Sequence, residues 1–329
     1  MMEKQKNIIL IKPRSYQGII VAGFRLYAEN FRRLFKGSWL LAAFYSVCSA
    51  VAGTLAVIKI PEVTLMLLQQ MQLPAEAADA SDSAMSAYLV VLLAIIASTV
   101  VSLTAMLAAM GTVVGLLKEH VASGLIPVPT SWFSVQWPIV WRTLKGALAT
   151  AACMLLPWLL LCGILLAVEH FSDEPMSSHV ATLSAALAVI TLAVAVMSLP
   201  LGYQLMKYLT TDNVKYWPSI GEGYVRGLRH LGQLLAVALL SGLMTCLAMM
   251  VIALPGYILS LANMSAQAGL LIGDPLDMPS YMSVLTFVTF VLTSFMTFYV
   301  TLPMLLHAYY SFGSIEAKEL ECQQKPDMQ

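Results

Sequence analysis

The sequence predicts an all-α integral membrane protein. Its six transmembrane helices form three parallel two-helix repeats, each preceded by a cytoplasmic amphipathic interfacial helix. Three observations predict this class. First, 59% of the 329 residues are hydrophobic and only 11% are charged, against about 25% charged in an average soluble domain. Second, six runs lack Asp, Glu, Lys and Arg: 37–58, 83–117, 146–168, 175–206, 230–273 and 278–315. Each can supply the roughly 20 apolar residues that cross the hydrocarbon. Third, the formal net charge of +0 hides an ordering, because Lys59 is the only one of 18 Lys and Arg to fall in an odd-numbered connection. Basic residues are retained on the cytoplasmic side, so both termini are expected there, in a bacterial cytoplasmic (inner) membrane.

Residues 1–36 form the cytoplasmic N-terminus. In it Ile20, Phe24, Tyr27, Phe31, Leu34 and Phe35 recur at steps of three and four. Arg25, Glu29, Arg32, Arg33 and Lys36 take the other face, the pattern of an amphipathic helix with a basic side. The apolar run that follows reads as a span that stays, not a cleaved leader.

The first helix pair occupies 37–117, with spans near 38–58 and 88–116. Between them 61–73 reads as a short outer helix and 74–86 as polar and disordered. The second repeat occupies 118–206, with spans near 144–167 and 181–206. Its introductory stripe is Phe133, Trp137, Val140, Trp141 and Leu144, which Pro138 is expected to shorten or kink.

The third repeat occupies 207–312, with spans near 231–254 and 282–310, and 313–329 form a cytoplasmic tail. Trp217, Ile220, Tyr224, Leu228 and Leu231 make its stripe. Ser219 and Glu222 read as a capping box, and Glu222 is spaced to pair with Arg226. Leu254-Pro255-Gly256 is expected to end or kink the fifth span, leaving 257–273 at the outer interface.

FRRLFKGSW at 31–39, WRTLKGALA at 141–149 and VRGLRHLGQ at 225–233 resemble one another. So do GTVVGLLKEH at 111–120, PLGYQLMKYL at 200–209 and PMLLHAYYSF at 303–312, which overlay without gaps. Parallel repeats of this kind imply pseudo-symmetry about the membrane normal. The introductory segments read as interfacial helices whose stripe sinks into the headgroup boundary while the basic face meets anionic lipid. The alternative is that they serve only as topogenic flanks. The candidate headgroup contacts are Arg32, Arg33, Arg142, Lys145, Arg226 and Arg229.

This arrangement resembles the membrane domain attached to some bacterial glycerophosphodiester phosphodiesterases and its stand-alone six-span relatives. The resemblance implies a six-span fold and points to the membrane-flanking Arg32, Arg142 and Arg226. It carries over no phosphodiesterase activity, because that domain is not in this sequence.

Chemistry is sparse. No Asp, Glu, Lys or Arg lies deep in a span, which argues against a proton-coupled pump or a charged-substrate carrier. No G-x-S-x-G, H-E-x-x-H or glycine-rich phosphate loop occurs. The five cysteines, none in a C-x-x-C pair, read as small apolar residues. No cofactor or metal is expected.

Gln204 and His307 fall at the same place in the even-span overlay. They are candidates for an intramembrane polar pocket with Thr293 and Thr297, on a threonine face that includes Thr286, Thr289 and Thr301. Each could instead bond a neighbouring carbonyl. Gly111 and Gly115 form a small-residue packing motif.

The expected function is therefore non-enzymatic: membrane organisation, lipid handling, or service as the membrane subunit of an assembly. The alternative is transport or export of a small apolar or zwitterionic compound. The expected partners are anionic headgroups of the cytoplasmic leaflet and a second copy or another membrane protein. Nucleic acid is not among them.

Overall fold

A computed structural model describes residues 10–64, 78–124, 126–127, 136–170, 180–211, 214–272 and 279–324. Ser15 caps the first helix, its Oγ accepting from the Gly18 N–H at 3.2 Å. Helix α1 runs Tyr16–Thr54 and continues through a π turn, Leu55–Lys59, to Thr64. Then come α2 (Ala78–Ser123), α3 (Trp137–His170), α4 (Val180–Thr210), α5 (Tyr216–Arg229), α6 (Leu231–Ile272) and α7 (Met282–Gln324). Six of them, all but α5, are long and apolar enough to cross a membrane. The chain is an integral, multi-pass membrane protein, all-helical among its described residues.

Several boundaries differ from the sequence expectation. The first introductory segment is not a separate helix; residues 16–54 are one unbroken α-helix of 39 residues. The second is likewise continuous with its span, from Trp137 to His170. Pro138 starts that helix, because a first-turn residue has no helical partner for its N–H. Only the third stands apart, as α5.

Ser219 is no cap. It lies inside the first turn of α5, and its hydroxyl donates back to the Lys215 carbonyl at 2.7 Å. Residues 78–86 belong to α2, while 65–77 lie outside the described residues, as do Trp132 and Phe133.

Pro255 and Gly256 do not end the fifth span, since α6 runs 42 residues through them. The far part is held on both sides. Asn263 Nδ2 donates to the Leu259 carbonyl at 2.8 Å and approaches Thr286 Oγ1 on α7. Gln267 Nε2 donates to the Ile58 carbonyl at the end of α1. Neighbouring helices of this kind let a membrane helix tolerate an internal proline.

The helices pack in a cyclic order. The first helix of each pair lies against its own second helix: α1 on α2, α3 on α4, α6 on α7. It also lies against the second helix of another pair: α3 on α2, α5 and α6 on α4, α1 on α7. The strongest core sits at the end where α1 begins and α7 finishes. Ile19, Leu34, Leu117, Leu302, Leu306, Tyr309 and Ile315 are fully buried there.

Toward the opposite end large apolar side chains are exposed. Val90 is 65% exposed, Leu156 67% and Leu192 68%. In a membrane these side chains face hydrocarbon, so their exposure costs nothing of the kind it would in water.

Candidate functional site

The chemistry-bearing residues gather at the well-packed end, called the basic end below. Glycines set the distances there. Gly111 on α2 lies so close to α3 that an added Cβ would sit 2.9 Å from Val140 Cα, and Gly115 receives the Gln136 side chain. Gly227 on α5 is equally close to Pro200 Cα on α4. A Cβ on Gly223 would overlap the Gln204 amide, and one on Gly23 would overlap the His307 ring. Three contacts between one pair and another thus seat a polar side chain over a glycine: Gln136 over Gly115, Gln204 over Gly223, His307 over Gly23.

Gln204 and His307 are therefore in two different interfaces and form no common pocket. Gln204 is fully buried and donates through Nε2 to Ser219 Oγ at 2.7 Å. His307 is 1% exposed and meets the Phe24 ring edge-on, with centroids 4.9 Å apart. Thr293 and Thr297 lie elsewhere on α7, both half-buried. Thr293 donates to the Phe290 carbonyl at 3.2 Å, and Thr286 and Thr301 likewise donate into their own helix. This back-bonding within the helix uses the donor of each of these three hydroxyls.

The apolar stripe of the first segment has a protein partner. Ile20 and Leu34 are buried, and Phe24, Tyr27 and Phe35 pack on the same core. Tyr27 donates to the Tyr299 carbonyl, and Phe31 and Phe35 both contact the Tyr299 ring. The stripe that reads as lipid-facing is filled by α7. For this segment the expectation that the stripe sinks into the headgroup boundary is corrected, because α7 occupies that face.

The six basic candidates divide. Arg33 donates through Nη1 to the Ile126 carbonyl at 2.5 Å, holding the connection after α2. Arg142 does the same after α4: Nη2 reaches the carbonyls of Tyr208, Thr211 and Val214 at 2.5, 2.8 and 3.3 Å. Its guanidinium also stacks 4.5 Å from the Tyr208 ring centroid. Arg226 pairs with Glu222 at 2.5 Å and faces Glu316 of α7 at 3.8 Å. Burial draws its pKa down, but Glu222 and Glu316 outweigh this and hold it above the ordinary value. Lys145 Nζ sits 5.2 Å over the Trp141 ring. Arg32 and Arg229 are exposed.

Two groups were not legible in the sequence. The segment before α1 straps the end of α7. Arg14 N–H donates to Ser314 Oγ at 3.0 Å, and the guanidinium covers the Tyr310 ring. The second group ties α4, α5, α6 and α7 together. Tyr203 donates to Glu316 at 2.5 Å, His230 meets Glu319 at 2.9 Å, and Lys318 donates to Gln233. Glu316→Gln is expected to lower the melting temperature by a few degrees, reflecting about 1 kcal/mol. An unchanged thermal transition in detergent would show that Glu316 ties nothing.

Aromatic side chains mark the same end. Trp137, Trp141 and Trp217 are 67%, 58% and 63% exposed, although each starts or nearly starts a helix. No protein-family model, curated protein or solved structure matches this chain. Among the described residues no cluster of His, Cys, Asp and Glu is arranged to hold a metal ion.

Proposed function

We propose that this chain is a non-enzymatic membrane protein that binds and orders lipid at the cytoplasmic leaflet of a bacterial inner membrane. The observation that carries this reading is α5. It is a separate 14-residue helix whose glycine face, Gly223 and Gly227, packs on α4. Trp217, Val225 and Leu228 are left exposed on it. A helix with one face seated on the bundle and another apolar face open suits the headgroup boundary. Exposed Trp137 and Trp141 lie at the same end, where amphipathic rings anchor. Arg32 and Arg229 supply cations for anionic headgroups.

On this reading the bundle is three parallel units about an axis along the membrane normal, with both termini cytoplasmic. The cyclic packing and the three glycine-seated polar side chains support it. The kinship with the membrane domain of glycerophosphodiester phosphodiesterases is part of the same proposal and rests on the sequence segments alone.

The test is mass spectrometry of the purified chain and its bound lipids, against a six-span protein without a basic end. Anionic phospholipid enriched over that control, and reduced by combined Arg32→Gln and Arg229→Gln, is the expected result. A lipid profile identical to the control would sink the proposal.

A further inference from the structure

Building on the lipid reading above, we propose that one anionic phospholipid places an acyl chain in a groove beneath α5. The chain end passes Met154 into a second cavity between α4, α6 and α7.

The groove, about 440 Å³, lies between α3, α4 and α5. Its walls include Pro157, Val194, Leu201, Ile220 and Tyr224. That volume is within the roughly 300–1,000 Å³ of ligand sites. The second cavity, about 200 Å³, is lined mainly by α4, α6 and α7, by residues such as Leu199, Leu234, Val237 and Met304. Met154 and Ser198 line both cavities, so the two adjoin at these side chains. Methionine is the apolar residue best able to move aside, having three rotatable bonds and no branch.

Water is a poor occupant. A buried water needs two to four polar partners. Ser198 already donates to the Ala195 carbonyl at 2.7 Å and Ser241 to the Ala238 carbonyl at 3.3 Å. The Tyr224 hydroxyl is spent on the Met197 carbonyl at 3.1 Å, and the Tyr203 hydroxyl on Glu316. Among the described lining groups, Ser311 Oγ alone is a buried oxygen with no partner. Apolar walls beside a bilayer suit hydrocarbon.

The surface of α5 supplies the other half of an amphiphile site. Gly221, Val225 and Arg229 recur at steps of four and all three are exposed. Gly221 lines the groove, and Arg229 lies about 12 Å further along the helix axis. A phosphate at Arg229 and a chain entering at Gly221 fit one phospholipid. Positive charge on this face favours an anionic headgroup.

Gly221 offers the test, since a Cβ there meets nothing within 4 Å. Gly163 on α3 is equally open and lies outside the groove, so it serves as the control. The full chain, purified in mild detergent and read by native mass spectrometry, should retain one anionic phospholipid. Gly221→Leu should reduce that retention about tenfold or more, as filling an apolar site does. Gly163→Leu should not.

Met154→Ala widens the neck and should shift the retained lipid to longer acyl chains. Retention in Gly221→Leu equal to the parent would overturn the groove while leaving lipid binding in place. Chain lengths unmoved by Met154→Ala would overturn passage into the second cavity. A parent chain with no phospholipid enriched over a six-span control would overturn the broader reading itself.

Discussion

Arg142→Ala is expected to loosen the connection between α4 and α5 by about 2–3 kcal/mol. One guanidinium holds three carbonyls there, at Tyr208, Thr211 and Val214, and stacks on Tyr208. Removing it takes this donor from the partly buried Tyr208 and Val214 carbonyls. Trypsin should then cut faster after Lys207 and Lys215, which flank the connection. Arg142→Lys should recover only part of the resistance, because an ammonium is a point charge without a planar fork. Cleavage unchanged in Arg142→Ala, with bound anionic lipid lost, would return Arg142 to the role of a headgroup contact.

Gly23→Ala is expected to cost about 1–3 kcal/mol by overpacking. The new methyl would overlap the His307 ring, which has no room to retreat because it is 1% exposed and wedged against Phe24. His307→Ala alone should also destabilise, by leaving a cavity. The double variant should recover part of the loss, with a coupling of roughly 0.5–3 kcal/mol between two residues in contact. Thermal unfolding of the four proteins in one detergent measures this. Simple additivity would mean that the two residues do not share a contact.

The six spans were readable because a run without charge, about 20 residues long, has few physical uses other than crossing hydrocarbon. The stripe from Ile20 to Phe35 was readable as a face. Periodicity, however, gives the same signal whether lipid or Tyr299 of α7 lies opposite.

Pro255 does not end α6: in a membrane bundle neighbouring groups offset the lost backbone bond, and Asn263 and Gln267 hold the rest of the helix. Gln204 and His307 fall at the same place in the even-span overlay, and of the two arrangements open to them, a shared pocket or separate neighbours, the structure has the second. Residues at the same place in successive units face different neighbours, here Gly223 and Gly23. Arg33 and Arg142 looked like any basic flank, since a guanidinium aimed at a carbonyl and one aimed at a phosphate leave the same letter in the sequence.

The strap of Arg14 on Ser314 has a consequence for biosynthesis, because its two residues are 300 positions apart. A ribosome adding roughly 5–20 residues per second needs about 15–60 s to bridge that distance. Through most of that interval α1 has been made while the residues of α7 that it packs on, among them Tyr299 and Tyr310, have not. The nascent protein therefore carries an unmatched Phe- and Tyr-rich ridge through most of its synthesis. Until α7 arrives, that ridge of α1 can be covered only by lipid or by another protein.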